Sequence, residues 1–203
     1  MAYSHFTLDK VKEEFGLVLD EMSDLFSSMP EVAVSDFLRT TLSEQVSLAL
    51  AINTEKVRSE LIIAPILVEL RRLKDRQISF FSGVDFEVDP SRGLCGTCDF
   101  LISRSPEQFY ITAPVALLVE AKRENIVGGL GQCIASMVAA RLFNERHGIG
   151  LMSVYGGVTS GNLWKFLKLE REVVHIDQME YYINQPGKIL AILLQSVQEG
   201  ETR

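Results

Sequence analysis

The chain has 203 residues, with 20 Lys and Arg against 27 Asp and Glu, so its formal net charge is −7. That balance works against tight, indiscriminate binding of nucleic acid, because such affinity comes from cations that displace counterions. A hydrophobic share of 47% and a charged share of 23% exclude a disordered or fibrous chain, and the length suits one core plus an extension.

The acidity is concentrated at the start. Residues 1–50 hold nine acids and three bases, whereas 51–203 hold eighteen acids and seventeen bases. We therefore read 1–50 as an acidic N-terminal helical extension and 51–203 as the main domain. Thr7 to Phe15 suits a short charged helix, and Ser27 to Pro30 a connector. Ser35 precedes a helical pattern with Leu38, Leu42, Val46 and Leu50 near one stripe. Asn53 and Thr54 supply N-cap chemistry for a longer helix carrying Val57, Leu61, Ala64 and Val68, within which Pro65 predicts a kink or break. The basic cluster Arg71, Arg72, Lys74 and Arg76 closes that helix, where the dipole favours cations.

After Gln77 the pattern turns to strands. Ile78 to Val88 alternates in its second half, a Gly-rich turn from Gly93 to Gly96 leads to a strand from Asp99 to Ser103, and Val115 to Val119 is a continuous apolar run of the kind buried on both faces. A helix with Leu130, Ile134, Met137, Val138 and Leu142 extends to about His147. Strands from Leu151 to Val158 and Leu163 to Leu169 are joined by a hairpin signal at residues 159–162. A short strand at 173–176 and a helix at 187–198 complete the pattern. The expected fold is α/β, a mixed central sheet flanked by helices.

Four residues are chemically odd for their positions. Glu60 lies in an apolar helix, Asp99 begins a strand after a Gly-rich turn, and Glu120 and Lys122 end the most hydrophobic strand. Strand alternation points Glu120 and Lys122 to one face, with Ala121 between them. Buried carboxylates are costly without a cation. If Asp99 comes from a neighbouring strand, two carboxylates and the Ala121 carbonyl form an all-oxygen partial shell of the kind that suits Mg²⁺. A lysine close to the metal and partly desolvated is expected to have a depressed pKa.

The succession of helical Glu60, Gly-x-x-Asp at Gly96 to Asp99, Glu-x-Lys at 120–122 and a helix carrying Gln132 resembles the PD-(D/E)XK nuclease superfamily, the restriction-endonuclease-like fold, over about Thr54 to Leu169. Within it the chain looks most like members of cyanobacterial type. The resemblance implies a nuclease that hydrolyses phosphodiester bonds of nucleic acid, DNA foremost, with Mg²⁺ and with Mn²⁺ as a substitute. Asp99, Glu120 and the Ala121 carbonyl would hold the metal, and Glu60 a second metal or a metal-bound water. Lys122 would orient or deprotonate the attacking water, and Gln132 would contact Lys122 or the scissile strand. The family's proline is replaced by Cys98. A homodimer would suit double-strand cleavage. The alternative is an inactive member of the fold acting as a nucleic-acid-binding or protein-interaction module.

Each residue also has a structural explanation: Glu60 could pair with Lys56 one turn earlier, Asp99 could cap a turn, and Glu-x-Lys could be a solvated strand end. Cys95-Gly96-Thr97-Cys98 could be half a zinc site, but it runs into a strand and lacks two further ligands. Gly128 to Gly131 echoes a dinucleotide loop without its full glycine pattern. Trp164 and Tyr155 read as sheet core. Three cysteines fit a reducing compartment. With no run near ~18 apolar residues and no basic, apolar leader at the start, a cytoplasmic protein away from membranes is expected.

Overall fold

A computed structural model describes residues 2–151 and 153–198. Its elements in chain order are α1 Leu8–Phe15, β1 Val18–Asp20, α2 Asp36–Ile52, α3 Glu55–Arg58, a π-turn Ser59–Ile63 and α4 Ala64–Leu73. Then come β2 Ser79–Asp85, β3 Thr97–Ser103, β4 Val115–Ala121, α5 Ile126–Arg146, β5 Val154–Thr159, β6 Leu163–Glu170, β7 Val173–Ile176, β8 Tyr181–Tyr182 and α6 Pro186–Gln198. The chain is thus a mixed α/β protein with a central sheet flanked by helices.

The apolar run at 115–119 becomes β4, every residue of which is buried, because it lies in the middle of an eight-stranded sheet with a helical layer on each face. The strand order is β1-β7-β6-β5-β4-β3-β2, with β8 beside β6. β4 and β5 are parallel, joined by the α5 crossover that a parallel pair requires. β1 and β7 are also parallel, and the remaining pairs are antiparallel. α1 and α5 build one core on the sheet with Leu101, Leu118 and Val158. α2, α4 and α6 build the other with Phe100, Val119, Tyr155 and Trp164.

By length and composition α5 could cross a membrane, yet 67% of its apolar stretch is buried inside the fold. It approaches β5 so closely that a Cβ on Gly156 would stand 2.4 Å from Met137 Sδ. Its far end is clamped by buried Asn144, whose Oδ1 accepts from Val115 N–H and whose Nδ2 donates to Val115 C=O, both at 2.8 Å.

Residues 2–50 pack into both layers. Tyr3, Phe6, Val11 and Leu17 join the α5-side core, and Phe26, Leu38, Leu42 and Ala49 join the opposite one. β1 extends the sheet through Val18 opposite Val173. The break expected at Pro65 is a π-turn instead: Ala64 N–H bonds to Ser59 C=O five residues back. Pro65 has no N–H to give to Leu61, and the wider turn keeps the helix continuous through residue 73.

Candidate functional site

β3 and β4 run antiparallel with Phe100 opposite Val119, so one step further along the ladder Asp99 faces Glu120. Their side chains are within hydrogen-bonding contact. Glu120 is only 5% exposed. Burial, and next the charge of Asp99, push its carboxyl up to about 8, against the opposing pull of Lys122. Ionising Glu120 beside the Asp99 carboxylate is costly, which adds to the penalty of its burial. Asp99 Oδ2 also accepts from Ala121 N–H at 2.8 Å, which fixes the pair across the two strands.

Lys122 is the residue after β4, and its N–H donates to Thr159 C=O at 2.8 Å. Its Nζ donates to Glu120 Oε1 at 2.5 Å and to Gln132 Oε1 at 3.3 Å. The first bond follows from strand alternation; the second arises because α5 lies over β4. Gly129 makes room for the lysine stem, since a Cβ there would stand 3.0 Å from Lys122 Cγ and 2.7 Å from Val158 Cγ1. Burial lowers the Lys122 pKa, but Glu120, Asp99 and Glu55 outweigh it and hold the ammonium above its ordinary value. The depressed pKa expected from the sequence is that of a lysine beside a bound metal; the three acids around the amine act in the opposite direction.

Asp99, Glu120, Lys122 and Gln132 therefore form one bonded series at the C-terminal end of β4, beside the end of its parallel neighbour β5. Ligand sites of α/β sheets gather at such strand ends. Glu60 is not part of that series. Its side chain is 58% exposed and 3.9 Å from Lys56, on the wall of a groove of about 290 Å³ whose other wall includes Ser82, Gly83 and Asp99.

Two contributors were missed by the sequence reading. Glu55 lines the same groove as Glu60 and acts electrostatically on Lys122. The two acids lie on the same wall, with Lys56 and Ser59 between them in the chain. Arg58, 9% exposed, donates to Ser160 C=O at 2.7 Å and to Asn53 Oδ1 at 2.9 and 3.2 Å. It ties the helix to the β5–β6 turn that also receives Lys122. Asn53, with φ 57°, is the left-handed end of α2, while Thr54 is the cap of α3, its Oγ1 accepting from Val57 N–H at 3.2 Å.

Among the described residues, no group of three or more His, Cys, Asp or Glu side chains could hold a metal ion by itself. The donors are instead the paired carboxylates of Asp99 and Glu120 with main-chain oxygens beside them. Such a set fits Mg²⁺, which uses one or two carboxylates with waters and substrate phosphates. It does not fit a closed tetrahedral zinc site. Cys98 is a poor thiolate: burial first, then Glu120 and Asp99, push its thiol up to about 12. Trp164 is fully buried and donates to Gly161 C=O at 3.0 Å, a core position.

Fold and site together define a mixed α/β protein with a buried acid–acid–lysine cluster at the end of its central parallel strand pair. No family model matches the chain, and neither a curated protein nor a solved structure matches it.

Proposed function

We propose that the protein is a Mg²⁺-dependent nuclease of the restriction-endonuclease-like fold, hydrolysing phosphodiester bonds of nucleic acid, DNA foremost. The observation that carries this reading is the half-buried Asp99 against buried Glu120, with Lys122 bonded to Glu120 at 2.5 Å. A structural ion pair needs one acid for one lysine. The second acid beside it adds to the raised Glu120 pKa, an unfavourable arrangement that a bound divalent cation would offset.

When bound, Mg²⁺ supplies charge neutralisation and a more acidic water. Asp99 and Glu120 would hold it, and the Ala121 carbonyl lies between Glu120 and Lys122. Lys122, whose pKa those acids raise, would present a positive charge to a phosphate oxygen or, with the acids neutralised, take a proton from the attacking water. Gln132 steers the ammonium by accepting from it at 3.3 Å, and Gly129 leaves the lysine its path. Glu60 and Glu55 stand on the opposite wall of the adjoining groove, placed to hold water or a second cation.

The test is cleavage of plasmid and of single-stranded oligonucleotides in Mg²⁺ or Mn²⁺ against EDTA. Asp99→Ala and Lys122→Ala are expected to lose on the order of 100-fold or more in rate while remaining folded. Folded wild-type protein that cuts no nucleic acid in either metal, and whose melting does not respond to them, would refute the proposal. Binding of nucleic acid without cleavage would favour the inactive binding module.

A further inference from the structure

The acidic groove does not end at Asp99. Its two walls are α3 with the π-turn on one side and β2 on the other, through Ser82 and Gly83. α4 continues the first wall, and β2 runs back antiparallel to the helix. Twelve residues beyond Glu60, the same two elements enclose a second, wider stretch of about 710 Å³, lined by Val68, Arg71, Arg72, Arg76, Phe80 and Gln108. On the β2 wall the two stretches are two to three residues apart, from Ser82 and Gly83 to Phe80, or about 7–10 Å at the strand rise.

The charge changes sign along this path. The site end carries Glu55, Glu60 and Asp99 with Lys56, and the far end three arginines. Arg72 is engaged with Glu69 at 2.6 Å, which neutralises that acid. No acid among the described residues stands within ion-pair distance of Arg71 or Arg76. Arg71 Nε donates to Ile78 C=O at 3.1 Å, holding its guanidinium against the start of β2.

The rim is aromatic. Gln108 grips the outer edge of β2 with both ends of its amide: its Oε1 accepts from Phe80 N–H at 3.1 Å, and its Nε2 donates to Phe80 C=O at 2.5 Å. This clamp fixes the loop between β3 and β4, and the next two residues, Phe109 and Tyr110, present rings that are fully exposed and 63% exposed respectively. The two exposed rings directly follow Gln108, which lines the arginine end of the groove, and exposed rings with arginines supply base stacking and phosphate contacts. Rings can stack only on unpaired bases, so this chemistry selects single strands over duplex.

We infer that the crevice between α3–α4 and the edge strand β2 is a binding track for single-stranded nucleic acid. Phosphates lie on Arg71 and Arg76, bases stack on Phe109 and Tyr110, and the strand leads to the Asp99–Glu120 site. The inference rests on the proposed nuclease reading for what happens at that site, but binding can be measured apart from cleavage.

The experiment is fluorescence anisotropy in EDTA with three labelled 12-mers: oligo-dT, oligo-U and a blunt DNA duplex. Wild type is expected to bind at least one single strand about tenfold or more tighter than the duplex, and the dT and U arms separate DNA from RNA. Phe109→Ala/Tyr110→Ala is expected to weaken single-strand binding by roughly tenfold or more with unchanged melting temperature. Arg76→Gln is expected to lower the slope of log affinity against log salt by about 0.7. Unchanged affinity in the aromatic double variant, or duplex binding as tight as single-strand binding, would overturn the track. So would a dimer that the double variant splits into monomers at unchanged oligonucleotide affinity, which would make the rings a contact between copies of this chain. If wild type cleaves nucleic acid while the double variant binds normally, the track alone fails. If the double variant loses binding while wild type cleaves nothing, the track stands and the nuclease reading fails.

Discussion

Replacing Glu120 by Gln should make the metal-free protein more stable at neutral and alkaline pH. The carboxyl titrates at about 8 in the folded chain, against 4.5 for an ordinary glutamate. At ~1.4 kcal/mol per pH unit the full gap is about 5 kcal/mol, with about 3 kcal/mol expressed at pH 7. The sign follows from the raised value. Below pH 4.5 both folded and unfolded chains carry the proton and nothing is lost. As pH rises from 4.5 to 8 the unfolded chain releases it and the folded one keeps it, so stability falls, and above 8 the loss is complete. Gln keeps an oxygen that accepts from Lys122 and removes the acid that competes with Asp99. Thermal melting in EDTA is therefore expected to place Glu120→Gln about 10 °C above wild type at pH 8, with the difference vanishing toward pH 4.5. Adding Mg²⁺ should raise wild type and leave the variant unmoved. A variant less stable than wild type at pH 8 in EDTA would refute the raised carboxyl of Glu120 that burial and Asp99 produce.

Other changes separate structure from chemistry. Asn144→Ala strips partners from the buried N–H and C=O of Val115 and should cost about 3 kcal/mol in urea unfolding. Gly129→Ala places a methyl 3.0 Å from Lys122 Cγ, so cleavage should fall more than melting temperature does. Arg58→Ala removes the donor to Ser160 C=O and to Asn53 Oδ1 and should lower stability by about 2 kcal/mol, as denaturant titration would show.

Much of the site was legible because it is local. Glu120 and Lys122 are two apart on a strand that the apolar run at 115–119 identifies, so alternation alone brings them together, and they meet at 2.5 Å. Ser35 and Thr54 cap α2 and α3 as their hydroxyls suggest, accepting from Leu38 and Val57 N–H. Strands β1 and β8 were not legible. Three and two residues carry no periodic signal, and β1 is held by β7 from more than 150 residues away. The position of Glu60 depends on the π-turn, and a single proline does not say whether a helix kinks, breaks or widens. The raised Lys122 pKa and the share Glu55 has in it depend on which acids surround the amine, and that is a tertiary fact. The charge average of −7 likewise hid two grooves of opposite character, one lined by Glu55, Glu60 and Asp99 and the other by Arg71, Arg72 and Arg76.

The most direct measurement is an anomalous diffraction map from crystals soaked in Mn²⁺, which stands in for Mg²⁺. An anomalous peak within coordination distance of both Asp99 and Glu120, absent from Glu120→Gln crystals soaked in the same way, is the expected result. Well-ordered wild-type crystals at saturating Mn²⁺ with no peak between those carboxylates would contradict a metal seat there, and with it the proposed nuclease.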